Sequence, residues 1–174
     1  NNTIEENTIN GAVGDGIAMR GSSNTARDNT LTGCSMGIEV KGEVTNIISN
    51  LITGGNEGLK LWFCSNSTVS GNRIERNGLW GICLGGSFGN VFYGNLIADA
   101  RGSNGGYGVS IGGTTYTTRS ENNVFFKNSF VNNIVNARVR HDSVNNTWDN
   151  GKTGNYWSDY KGDDENGDGL GDAL

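Results

Sequence analysis

The sequence predicts an all-β fold: a right-handed parallel β-helix of about seven coils, ending in a C-terminal cap. Three observations carry that prediction. A motif returns about every 22 residues, apolar residues alternate in short blocks, and glycine and asparagine punctuate the blocks while proline is absent.

The motif is N-x-φ-x-x-N-x-φ, where φ is apolar. It reads "NTIEENTI" from Asn2, "NTARDNTL" from Asn24, "TNIISNLI" from Thr45 and "STVSGNRI" from Ser67. "NVFYGNLI" from Asn90 and "NVFFKNSF" from Asn123 follow, with a degenerate "NTWDNGKT" from Asn146. Successive starts are 22, 21, 22, 23, 33 and 23 residues apart. A second block follows each of the first six starts: "GIAM" at Gly16, "GIEV" at Gly37, "GLKL" at Gly58, "GICL" at Gly81, "GVSI" at Gly108 and "NARV" at Asn136. Alternation over four residues between turn formers gives short strands rather than helices.

One repeat per coil, rising by about 4.8 Å, stacks equivalent side chains in columns. Ile4, Ala26, Ile47, Val69, Phe92, Phe125 and Trp148 form one inward column; Ile9, Leu31, Ile52, Ile74, Ile97 and Phe130 form another. Asn7, Asn29, Asn50, Asn72, Asn95 and Asn128 share a slot in which stacked amides bond along the axis, a structural role. A leucine-rich repeat has a similar period but requires Leu at fixed positions, where this chain varies among Ile, Val, Phe and Ala.

The net charge of −5 is concentrated at the C-terminus, with six acids between Asp159 and Asp172 and one base, Lys161. The preceding body is neutral and has no basic patch, which argues against nucleic acid as a partner. No apolar run approaches the roughly 20 residues of a membrane span. The chain opens without Met inside a repeat, which reads as a processed chain or a fragment. Cys34, Cys64 and Cys83 fall at different repeat positions and read as unpaired small residues. N-glycosylation sequons begin at Asn1, Asn66 and Asn145, a pattern that an Asn-rich repeat also produces by chance.

The ending "GNYWSDYKGDDENGDGLGDAL", with the repeats before it, resembles the NosD-like repeats of the carbohydrate-binding and sugar-hydrolase β-helix group. It is similar to the terminus of secreted and surface-layer-associated members, although Ala173-Leu174 stand where those have small-Pro-aromatic residues. The resemblance implies a parallel β-helix; the namesake's part in copper-site maturation does not transfer with repeats so widely shared. Residues 1–153 are expected to form the repeats, and residues 154–174 an aromatic cap with an Asp-rich loop. Asp164, Asn166 and Asp168 fit positions 1, 3 and 5 of a calcium loop, with Leu170 giving a carbonyl at 7 and Asp172 at 9. Calcium is therefore the expected cofactor. Tyr156, Trp157 and Tyr160 are expected to fold over the open last coil, whose apolar core and strand edge need cover.

The outward column of the second block is Ala18, Glu39, Lys60, Cys83, Ser110 and Arg138, in which Glu39 and Lys60 are placed to pair. The columns hold no acid cluster, whereas glycoside hydrolysis needs paired carboxyls. Arg138, Arg140, His141 and Asp142 are weak catalytic candidates, the alternative being solvent-facing arginines and a turn. The fifth coil is about ten residues longer and brings Tyr107, Tyr116 and Arg119 near Trp80 and Trp62. These aromatics are weak candidates for stacking on sugar rings, or else they cover the core.

Taken together, the residues favour a non-catalytic extracellular or cell-surface module with a structural, assembly or adhesive role and polysaccharide as a ligand along its flank. The N-terminal coil is the expected place for self-association or a neighbouring domain. Alternatives are a polysaccharide lyase or epimerase and, less favoured, a periplasmic NosD-like maturation factor. For the last, one His, two Met and dispersed Cys offer no evident copper site.

Overall fold

A computed structural model describes residues 1–103, 105–112, 119–140 and 142–163. Its strands form three parallel sheets, each built from one strand per coil. The first stacks Thr3–Glu5, Thr25–Arg27, Asn46–Ile48, Thr68–Ser70, Val91–Tyr93 and Val124–Phe126. The second stacks Thr8–Asn10, Thr30–Thr32, Leu51–Thr53, Arg73–Glu75, Leu96–Ala98, Ser129–Val131 and Tyr156–Trp157. The third stacks Asp15–Arg20, Met36–Lys41, Glu57–Trp62, Trp80–Gly85, Tyr107–Ile111 and Val135–Val139. The described residues thus make six full coils and part of a seventh, a parallel β-helix close to the expected count.

Strands stay short because a left-handed residue turns the chain at each corner. Between the first and second strands it is Glu6, Asp28, Ser49, Gly71, Gly94 or Lys127, with φ from 53° to 64°. The asparagine that follows enters the ladder. Each Nδ2 donates to the Oδ1 of the next coil: Asn7 to Asn29, Asn29 to Asn50, Asn50 to Asn72, Asn72 to Asn95 and Asn95 to Asn128, at 2.8–3.0 Å. Asn128 passes the ladder on to Asn155 at 2.9 Å. Corners that would bury bare amides are satisfied internally in this way.

Inside, register places the apolar columns as the repeat requires. Val69 pairs with Phe92 and Phe92 with Phe125, while Ile74, Ile97 and Phe130 stack in the second sheet. Phe125 and Phe130 are fully buried. Each such side chain contributes roughly 1.5–3 kcal/mol by leaving water. Phe92 and Phe125 are stacked at 4.3 Å, Phe125 and Trp148 at 4.8 Å, and Phe130 and Trp157 at 4.4 Å.

The expected lid is built differently. Tyr156 and Trp157 pair in register with Ser129 and Phe130, so they continue the second sheet into the seventh coil. Trp148 and Trp157 meet edge to face at 5.3 Å and close the end from within the columns. Tyr160 lines a neighbouring open groove of about 510 Å³ with Ala137, Val139 and Asp159.

All three cysteines are free and buried. Burial pushes the Cys64 thiol up to about 11 and that of Cys83 up to about 12, so both are protonated at neutral pH.

Candidate functional site

The outer face of the third sheet gathers the chemistry. One column runs Glu57, Trp80, Tyr107, and its neighbour runs Lys60, Cys83, Ser110, Arg138, each residue paired in register with the next coil. Alternation turns Leu59, Leu61, Ile82 and Leu84 inward and leaves Lys60 and Cys83 on the opposite face, whereas Glu57, Trp80 and Tyr107 precede the glycine bend and fall outside that alternation.

Trp80 is only 5% exposed, yet it lies outside the apolar core cluster. Its Nε1 is buried without a hydrogen-bond partner, as are Glu57 Oε2 and Arg138 Nε. A buried indole N–H normally finds an acceptor, yet Trp80 Nε1 and Arg138 Nε have none, while Glu57 Oε2 accepts no hydrogen bond and has the Lys60 ammonium beside it. Arg138 lies over the Tyr107 ring at 3.9 Å and donates to Ser110 Oγ at 3.1 Å. Lys60 Nζ sits 3.9 Å from Glu57 and 5.2 Å from the centre of the Trp62 ring. Burial pushes the Glu57 carboxyl up; Lys60 opposes the shift, and Glu39 and Asp15 add to it.

Trp62, Trp80 and Tyr107 all lie on third-sheet strands of successive coils. Arg119 turns instead to Glu121, with Nε 2.7 Å from its carboxylate. Arg138 covers Tyr107 rather than facing solvent, and Asp142 is half-buried in the turn beyond the last third-sheet strand. Arg140 donates its backbone N–H to Ile111. Glu39 and Lys60 are in register but do not pair: Glu39 is held by Arg20 at 3.5 Å and Lys41 at 3.2 Å. The same-coil Glu57 competes for Lys60. Tyr116, His141 and the expected calcium ligands Asp164, Asn166, Asp168, Leu170 and Asp172 lie outside the described residues. Glu57 was not anticipated, though its position one residue before Gly58 matches those of Trp80 before Gly81 and Tyr107 before Gly108.

Residues 1–162 match the family described as "Periplasmic copper-binding protein (NosD)". The chain belongs to the NosD family. Among its relatives is the "Probable ABC transporter binding protein NosD" of Pseudomonas aeruginosa, 33% identical over 68% of this chain and 28% of that protein. A protein of the same description from Stutzerimonas stutzeri is 31% identical over 62% of this chain and 30% of its own length. The chain thus spans less than a third of either relative. No solved structure matches it.

Copper does not fit the described residues of this NosD-family chain. Among them no three His, Cys, Asp or Glu side chains are gathered to hold a metal ion. Cys34, Cys64 and Cys83 are all buried, and so is Met19 in the core. Also among the described residues, no helix is long and apolar enough to cross a membrane.

Proposed function

We propose that the chain is an extracytoplasmic, non-catalytic β-helix module of a NosD-family protein that holds a glycan on the outer face of its third sheet. The observation that carries this reading is the unpartnered Nε1 of Trp80, buried between Glu57 and Tyr107. The half-buried Trp62 ring offers apolar surface to sugar C–H groups, and Glu57, Trp80 and Arg138 hold polar atoms without hydrogen bonds that hydroxyl or carboxylate groups would satisfy. A binding role rather than a cleaving one is supported by the carboxylates: Glu39 is held by two cations and Glu57 has Lys60 beside it. The family's periplasmic description supports a place outside the cytoplasm. A structural or adhesive role follows where the glycan is fixed to a surface.

Trp80→Phe keeps an aromatic ring, smaller than indole, and removes the orphaned donor. Titrating neutral and uronate-containing oligosaccharides while following tryptophan fluorescence should show about tenfold weaker binding for the variant, roughly 1.4 kcal/mol. Equal affinities would sink the role of Trp80, and release of shortened or unsaturated products would overturn the non-catalytic reading.

Calcium at Asp164, Asn166, Asp168, Leu170 and Asp172 is a separate proposal carried by the donor spacing in the sequence. Calorimetric titration should give a one-site calcium isotherm that Asp168→Ala abolishes. Indistinguishable, negligible heats for both proteins would remove calcium from the account.

A further inference from the structure

Phe63 occupies a backbone position that glycine fills in neighbouring coils. Two residues beyond the last inward residue of the third strand stand Gly21 with φ 84°, Gly42 with φ 156°, Phe63 with φ 53° and Gly86 with φ 61°. A bulky residue in the left-handed region is strained, and this one is also 60% exposed. Neither feature serves the core.

The coil above is shaped to receive it. A Cβ on Gly86 would lie 2.6 Å from Phe63 Cδ1, and a Cβ on Gly85 would overlap the Trp62 ring. Both aromatic rings therefore rest on the bare Gly85–Gly86 backbone. They meet at 84° with centroids 5.6 Å apart, and the Lys60 ammonium stands 5.2 Å from the Trp62 centroid. Phe88, 52% exposed, follows on the same corner.

We propose that Trp62 and Phe63 form a second subsite, which stacks one pyranose ring of a glycan already held at Glu57 and Trp80. This proposal rests on the glycan reading and extends it. From Glu57 to Phe63 the strand advances six residues, about 20 Å, so the bound chain crosses the third sheet and bends over its corner. A saturated ring presents C–H groups to an aromatic face and hydroxyls at its rim, where Lys60 donates. A protein partner would need roughly 800 Å² of matched surface on this side. The platform is instead a few rings beside Lys60, a scale suited to one sugar.

Phe63→Gly restores the residue found at this slot in neighbouring coils, so the variant is expected to fold with unchanged or higher thermal stability. Its affinity should be measured for size-graded neutral and uronate-containing oligosaccharides, alongside Phe63→Tyr. Expected is about tenfold weaker binding of chains long enough to reach the corner, unchanged binding of the shortest ones, and recovery in Phe63→Tyr. If the native protein binds glycans in a Trp80-dependent manner but Phe63→Gly behaves identically at every length, the corner subsite alone is refuted. A loss that is the same at every length also refutes it. Should the native protein bind none of these sugars, the glycan reading fails and the subsite with it.

Discussion

Asn72→Leu should lower stability by about 4 kcal/mol, because it strands several buried polar groups at once. Asn72 Oδ1 accepts both the backbone N–H and the Nδ2 of Asn50, each at 2.9 Å. Its own Nδ2 donates to the carbonyls of Ile47 at 2.8 Å and Ser70 at 3.1 Å, and to Asn95 Oδ1 at 2.9 Å. Leucine fills a similar volume and makes none of these bonds. The Asn50 N–H is left buried without an acceptor, the costlier side of the hydrogen-bond asymmetry. Asn7, at the exposed first rung, donates in the same way but leaves no buried neighbour stranded, and Asn7→Leu should cost under about 1 kcal/mol. Denaturant titration of both variants checks the contrast. Equal losses would mean that the ladder is decoration on a fold held by its apolar columns.

Much of that ladder was legible from the repeat, since the second Asn of the motif falls in one slot of every coil. The first Asn of the motif makes a parallel ladder that reads less clearly. Asn90 bonds Asn123, and Asn123 bonds Asn146, at 2.8 Å, but Thr45 and Ser67 interrupt the series. A hydroxyl substitutes there: Ser67 Oγ accepts the Thr45 N–H at 3.0 Å. The slot demands an acceptor, and residue identity only partly reports that demand.

"GNYWSDY" was harder to place for a geometric reason. Asn155-Tyr156-Trp157 repeats the pattern of Asn128-Ser129-Phe130, yet the step between them is 27 residues. The surplus folds into a tight turn in which Asn150 Oδ1 accepts the N–H groups of Lys152 and Thr153. A fixed-period reading sees an aromatic run after the repeats end, while register shows one more coil. Glu57 was missed because periodicity identifies what turns inward. It does not say which outward residues lack partners, and that distinction requires burial and hydrogen bonding to be known atom by atom.

Gly81→Ala is expected to cost about 3 kcal/mol, although it adds one methyl group and demands no unusual backbone angle. The glycines that open the third-sheet strands face inward at the bend from the second sheet. A Cβ on Gly81 would lie 2.6 Å from the Gly108 carbonyl oxygen and 2.6 Å from Ile97 Cγ2. Ile97 is buried in the second-sheet column, and the carbonyl belongs to the coil above, so neither yields without moving a strand. Gly58 faces the same pair of obstacles, with Gly81 O at 2.5 Å and Ile74 Cγ2 at 2.6 Å. The sixth coil shows where the constraint comes from. Asn136 occupies this slot there, with no further third-sheet strand above it among the described residues, and its side chain bonds Asn133 at 3.0 Å and Asp159 at 2.6 Å. A side chain is therefore admitted once no coil is stacked over it. Gly14→Ala, with nothing within 4 Å of the new methyl, should stay within about 0.5 kcal/mol of the native protein. A Gly81→Ala protein as stable as Gly14→Ala would show that the sheets can part at this corner, and that bare backbone does not set the spacing of the coils.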